Sequence, residues 1–481
     1  MIILNESHLF QLYLLLKKYY IRNMKKFLLI VYCLGLSLLN YAQNVNFKTD
    51  SITIKKIADE VMINSYAYEN LRYLCKKIGH RLSGSASAAK AVLATKKMLE
   101  NAGADTVYLQ PCVVPHWVRG EKEEGYFLID GKKENLNLTS LGNTEGSKGK
   151  MISGEIVEVI TMKELDTLGN KVKGKIVFFN IAMNPTYIGT FNAYGESGIG
   201  RRSGPAEAAK YGAIGVLVRS LASNADDYPH TGVTRYNDSF PKIPAVAIST
   251  NNANAISAQL KIGKSIKVFF KNNCTMLAPV QSYNVIGEIR GSKEPQEIIT
   301  VGGHLDSWDL AEGAQDDGAG CMQSIEIIRA FKKAGIQPKR TIRAVMFMNE
   351  ENGSGGADAY LENAKLKKEQ HIFALESDAG GFTPRGFTLD MKEKARNKVI
   401  DWTLLFKNYS VYDFSIGGSG SDIDDLKTIG AALAGLRPDS QRYFDLHHAS
   451  TDVFESVSKR ELDLGALNMA AFVWLVSEYG L

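Results

Sequence analysis

The chain has 481 residues, 45% of them apolar and 23% charged, which is ordinary globular composition with length enough for two compact domains. Its 57 basic and 52 acidic residues leave a formal charge of +5, with no lysine or arginine run and no basic residues interleaved with aromatics. A surface that tracks a phosphate backbone is therefore excluded, and nucleic acid is not an expected partner.

In chain order, the first feature is a targeting signal. Lys25 and Lys26 follow Met24, the apolar run Phe27 to Leu39 is too short to span a bilayer, and Asn40-Tyr41-Ala42 closes the segment on a small residue. Residues 1–42 thus read as an upstream extension and a cleavable secretory signal, predicting a secreted or periplasmic protein with no membrane attachment after cleavage. Cys33 leaves with the signal. The remaining cysteines, Cys75, Cys112, Cys274 and Cys321, show none of the paired spacing of a zinc ribbon or redox motif.

From Ile52 to about Ala102 the apolar residues recur at helical spacing, and Ser83-Gly84-Ser85-Ala86-Ser87 supplies a cap for a second helix. A first strand is expected over 106–114. From about Thr139 short, glycine-punctuated strands dominate, at 154–159, 174–179, 215–218 and 243–248, with one helix over 204–210. After about Asn284 strands and helices alternate: strand 298–302, helix 320–333, strand 341–348, helix 358–364, strand 372–376. Such alternation predicts an α/β fold with helices on both faces of a mixed sheet. The expected organisation is a three-layer α/β/α domain built from residues 43–138 and 279–481, interrupted by a β-rich insertion at 139–278.

Chemistry-bearing residues gather at the ends of the late strands. His304 and Asp306 close one strand two residues apart, where the carboxylate can orient the imidazole. Asp316 and Asp317 stand before Gly318-Ala319-Gly320 and a helix. Glu350 and Glu351 end another strand and point to opposite sides, so one can ligate a metal while the other holds a water. Asp378 follows the next strand, and His447-His448 with Asp452 comes late. Open α/β sheets bind ligands outside the carboxyl ends of their strands, so topology itself brings these groups together. His80, His116, His230 and His371 have no comparable partners and read as structural or surface residues. Gly417-Gly418-Ser419-Gly420-Ser421-Asp422 lacks the lysine of a P-loop and the spacing of a nucleophile elbow, and reads as a loop lining the cleft.

In order and spacing, Gly302-Gly303-His304-Leu305-Asp306-Ser307, Asp316-Asp317-Gly318-Ala319-Gly320, Asn349-Glu350-Glu351, Glu376-Ser377-Asp378 and His448 with Asp452 resemble the co-catalytic zinc aminopeptidase and glutamate carboxypeptidase family. Trp308-Asp309, Pro115-His116-Trp117-Val118-Arg119-Gly120, Pro229-His230-Thr231-Gly232 and the His447-His448 pair are similar to its plasma glutamate carboxypeptidase branch. The resemblance implies a zinc-exopeptidase domain with a protease-associated insertion and two zinc ions. His304 and Asp378 would hold one ion, Glu351 and His448 the other, and Asp316 would bridge them. Glu350 would be the general acid/base in hydrolysis by a water activated between the ions. Asp306 would support His304, and Asp452 would do the same for His448. Ser450 and Val453 depart from the branch pattern, where a histidine and a threonine are expected.

Dipeptides and short peptides are the implied substrates, with Tyr443, Ser421 and Asp422 as candidate substrate contacts. An aminopeptidase on longer peptides is the near alternative. An inactive binding ectodomain fits poorly with a complete ligand set, and a single-zinc acyltransferase would not need the insertion. Oligomeric state is not set by the sequence, a homodimer being one option.

Overall fold

The computed structural model describes residues 11, 17–19 and 46–481. The signal segment, Cys33 and most of the extension before it lie outside the described residues. Residues Thr49–Leu481 pack as one compact unit containing two eight-stranded sheets.

The first sheet runs in the order Thr106–Val118, Thr275–Ile289, Arg340–Phe347, Glu294–His304, Gln370–Glu376, Ala432–Pro438, Pro384–Asp390, Asp413–Ile416. Its four central strands, from Arg340–Phe347 to Ala432–Pro438, are mutually parallel, and antiparallel partners flank them on both sides. The central strands are apolar nearly throughout, with every residue from Thr341 to Phe347 buried, as a sheet covered on both faces requires. Period-two alternation divides their side chains. Val345 and Phe347 face Tyr360 and Leu361 of the helix Gly355–Lys367, while the opposite face is covered by Ala86–Ala102, Ala319–Lys333 and Lys459–Tyr479. The layers are thus helix, sheet, helix. The cap expected before Ala88 is present: Ser85 Oγ accepts the Ala88 amide at 3.1 Å.

The second sheet, ordered Lys132–Asn135, Glu124–Ile129, Ile266–Lys271, Ile152–Val159, Ile176–Phe179, Gly215–Arg219, Ala245–Ile248, Leu138–Ser140, occupies the middle of the chain. It begins at Glu124, so the expected boundary at residue 139 falls inside it. Glu124–Ile129 is a short, mostly half-buried strand that gives Phe127 to the core, and Lys132–Asn135, its charged partner, is exposed. Its four successive strands from Ile152–Val159 to Ala245–Ile248 are parallel, and alternate residues feed two separate cores, Val177, Phe179, Val216 and Val218 in one and Ile176, Phe178 and Leu217 in the other. The chain passes between the sheets along Thr106–Val118 and Thr275–Ile289, which pair with each other antiparallel along their whole length, apart from a shift of register between Val114 and His116.

One buried cation secures the rim of the first sheet. Arg81 is fully buried, and it donates from Nε to Leu305 O (2.6 Å), from Nη1 to Glu312 O (2.6 Å) and from Nη2 to Gly313 O (2.8 Å). It thereby ties the chain after His304 to the chain before Asp316. An Arg81→Met substitution would strand these three carbonyls without donors, and at roughly 1–3 kcal/mol for each unsatisfied buried group we expect a loss of about 3 kcal/mol or more. Denaturant unfolding checks this, and an unchanged midpoint would remove Arg81 from that role.

Candidate metal centre

Three neighbouring parallel strands end on the same edge of the first sheet. Glu294–His304 delivers His304, the turn after Arg340–Phe347 delivers Glu350 and Glu351, and the turn after Gln370–Glu376 delivers Asp378. Asp316 comes from the turn Ala314–Gly318, in which the Asp316–Asp317 peptide is cis, and His448 from the loop before Lys459–Tyr479.

These side chains form one cluster. His304 Nε2 lies 3.1 Å from Asp316 Oδ1 and 3.3 Å from Asp378 Oδ1; His448 Nε2 lies 3.3 Å from Asp316 Oδ2 and 3.1 Å from Glu351 Oε2. Asp316 therefore stands between two imidazoles, each with a second carboxylate of its own. The five residues expected as ligands all meet here. Glu350 is half-buried and borders the same cleft of about 580 Å³, together with Asp316, Glu351, Asp378, Ser421, Tyr443, His447 and His448.

The donor set fits divalent cations. Asp316 Oδ2 and Glu351 Oε1 are buried without a hydrogen-bond partner, an arrangement that costs free energy unless a positive charge sits against them. Burial opposes ionisation of all three carboxyls. Asp316, bonded by His304 and facing His448, is nevertheless held well below the usual carboxylate range, whereas burial and the facing Asp316 charge push Glu351 up to about 8. Burial likewise lifts Asp378 to about 6. Nitrogen and carboxylate donors without a thiolate suit zinc at a hydrolytic site. Cys321, the nearby thiol, is buried and donates to His304 O instead.

The supporting contacts differ from expectation in two places. The Asp306 carboxylate does not carry His304: its Oδ1 is 3.9 Å from His304 Nδ1, which bonds the Asp306 backbone carbonyl at 2.9 Å. The carboxylate instead accepts the amides of Asn349 (2.6 Å), Glu350 (3.1 Å) and Glu351 (3.3 Å), fixing the turn that presents both glutamates. Asp452 does not touch His448 either. It accepts the amides of Gln315 (2.7 Å) and Asp316 (3.2 Å), so it positions Asp316. In both cases a carboxylate prefers several unsatisfied backbone donors to one imidazole.

Asp317, named only as the neighbour of Asp316, accepts the amides of His304 (3.1 Å) and Gly320 (2.8 Å). Gly303 has to lack a side chain, since a Cβ there would lie 2.2 Å from Asp317 Oδ2. His447 stacks on His448 with ring centroids 3.5 Å apart, but its Nε2 is farther from Asp316 Oδ2, at 3.7 Å. His371 is a structural residue bonded to Thr300 and Glu369, and His230, read as structural or surface, is buried with its Nδ1 on the His447 carbonyl beside the cluster. Tyr443 and Ser421 border the cleft, while Asp422 is buried behind it with its amide on Glu376.

The family profile described as Peptidase family M28 matches residues 284–473. The chain is 34% identical to carboxypeptidase Q of Homo sapiens over 86% of this chain and 84% of that one, and 34% identical to carboxypeptidase Q of Xenopus laevis over 94% and 96%. The crystal structure of a peptidase M28 precursor from Shewanella amazonensis superposes with a TM-score of 0.86 at 30% identity, covering 90% of this chain and 97% of that one. A zinc aminopeptidase from Bacillus subtilis shares the fold at a TM-score of 0.59 and 19% identity, over 85% and 94% of the two chains.

Asp316 faces both imidazoles, so replacing it should weaken metal binding by the whole cluster. For Asp316→Asn we expect metal affinity to fall by more than about a hundredfold, beyond the 10- to 100-fold typical of groups that only orient a ligand. Metal analysis after dialysis reads this, and unchanged metal content would remove Asp316 from the candidate ligands.

Proposed function

Because the chain belongs to peptidase family M28, in its carboxypeptidase Q branch, we propose that it is a two-zinc exopeptidase that hydrolyses unblocked dipeptides and short peptides. The observation that carries this reading is the shared carboxylate: Asp316 spans His304 and His448, and each imidazole has its own further carboxylate, Asp378 or Glu351. His304, Asp378 and Asp316 would hold one ion, and His448, Glu351 and Asp316 the other. When bound, the pair supplies Lewis-acid polarisation of the scissile carbonyl and acidification of the attacking water.

The remaining chemistry belongs to the chain itself. Glu350 stands in the cleft beside the ligands, with its own amide on Asp306 Oδ1 (3.1 Å), so its carboxylate is presented on a fixed turn. There it takes a proton from the attacking water and returns it to the leaving amine. Burial, helped by the charges of Asp316 and Asp378, pushes the Tyr443 hydroxyl well above the ordinary value and keeps it a neutral donor towards substrate. Ser421 contacts substrate from the glycine-rich loop, and Asp422 shapes that loop from behind. The second sheet is a protease-associated module that walls one side of the cleft through Tyr194, Arg201 and Arg202. Among the described residues no helix is long and apolar enough to cross a membrane, and the segment from Met24 supports export to the periplasm or the medium.

A Glu350→Gln variant should keep both zinc ions and lose about 10²- to 10⁴-fold in kcat. Metal analysis paired with dipeptide turnover tests this, and full activity in a zinc-loaded variant would overturn the assignment of the base. Substrate class is read from a panel of free dipeptide, N-blocked dipeptide, C-amidated dipeptide and aminoacyl nitroanilide, before and after chelation. Cleavage confined to the free dipeptide and abolished by chelation is the expected result. Cleavage of the nitroanilide or amidated substrate would move the enzyme to aminopeptidase, the activity named for neighbours that share its fold.

A further inference from the structure

The two halves of the metal centre are supported from different sheets. His304 is held within the first sheet, where its Nδ1 bonds the carbonyl of Asp306 two residues on. His448 has no such local support. Its backbone is in the left-handed region (φ 63°), unusual for a side chain of this size, so the surrounding structure has to hold it there.

That support comes from the second-sheet module. Thr231 N donates to His448 O at 2.9 Å, and His230 Nδ1 bonds His447 O at 2.7 Å. On the ring itself, His448 Nδ1 faces Thr231 O at 3.3 Å, with Arg201 Nη1 3.4 Å from the same carbonyl. Arg201 Nη1 also lies 3.4 Å from His448 Nδ1, so two groups of the module meet this edge of the ring while Nε2 is turned to Asp316 and Glu351. His230 and Thr231 are both buried, and the segment is tied back to its own module by Thr231 Oγ1 to Ser140 O (2.7 Å) and Gly142 N to Gly232 O (2.9 Å). Gly232 closes the contact at φ 127°. A Cβ there would lie 2.4 Å from Arg201 Nη1 and 2.7 Å from His448 Nδ1.

We infer that His230, Thr231 and Gly232 are positioning residues for the ligand His448, so that the inserted module sets the geometry and affinity of one metal site and not of the other. This inference rests on the two-ion reading above. Thr231 holds the His448 backbone through its amide and meets the Nδ1 edge of the ring with its carbonyl, the His230 bond fixes the adjoining backbone, and Gly232 permits the approach. The site of His304 and Asp378 needs none of them.

The test measures zinc affinity and stoichiometry for the full-length wild type and for His230→Ala, His230→Asn, Gly232→Ala and Val172→Ala, with anomalous scattering at the zinc edge to locate the ions that remain. Val172 lies in the module's own core, away from the metal, and its truncation controls for mere loss of module stability. His230→Ala and Gly232→Ala should each weaken one ion by about 10- to 100-fold and leave the other within twofold, the retained ion lying at His304 and Asp378. His230→Asn, which can restore a donor to His447 O, should recover most of the loss, while Val172→Ala lowers the unfolding midpoint and keeps both affinities. Unchanged affinities in His230→Ala and Gly232→Ala, loss of both ions together, or equal loss in Val172→Ala would overturn the inference. A wild type that holds a single ion refutes the two-ion reading before any variant is compared.

Discussion

The constraint on which this structure depends is the cost of keeping Asp316 and Glu351 out of water, with the partly exposed Asp378 close by. Two imidazoles offset part of it, yet oxygen atoms of Asp316 and Glu351 remain without donors. Much of the surrounding architecture serves to hold this unfavourable set in place. Apolar parallel strands fix where the ligands emerge, Arg81 locks the two chain segments that carry His304 and Asp316, and Asp306, Asp317 and Asp452 spend their hydrogen-bonding capacity on backbone amides beside the ligands.

The proposed ligand set is legible in the sequence because its carriers are regular. An apolar run that stops at a carboxylate or histidine reads directly as a buried strand delivering a side chain to a sheet edge, and three such strands in succession place their ends together. The helix between residues 319 and 333 was legible for a similar reason, since glycines precede it and an apolar stripe runs through it. By contrast, the strands at 413–416 and 432–438 and the long closing helix were not read, because loop composition and a nearly all-round apolar stretch give no clear period.

Supporting contacts were harder to infer than ligands. Asp306 was placed correctly beside His304, but spacing alone cannot tell whether a carboxylate faces a ring or a row of amides, and here three amides of a tight turn were the stronger attraction. His230 reads from sequence as a structural or surface residue, and its place beside His448 is not legible there for a different reason. It is more than two hundred residues from His447, and the only hint was its place in the short segment Pro229-His230-Thr231-Gly232, where a glycine follows two polar residues with no turn required by the strands around it.

The passage between the two sheets has a topological consequence. Thr106–Val118 and Thr275–Ile289 are register partners out to Val118 and Thr275, so the entire intervening segment is, from the first sheet's point of view, the tip of a single hairpin. A turn of a few residues could close that hairpin and leave the order of the peptidase sheet intact. Such an abridged chain would inherit His304, Asp316, Glu350, Glu351 and Asp378 in their places but would present His448 without its clasp. Growth of the hairpin tip into a folded module is thus a route by which a peripheral loop can become part of a metal site that the parent sheet already outlined.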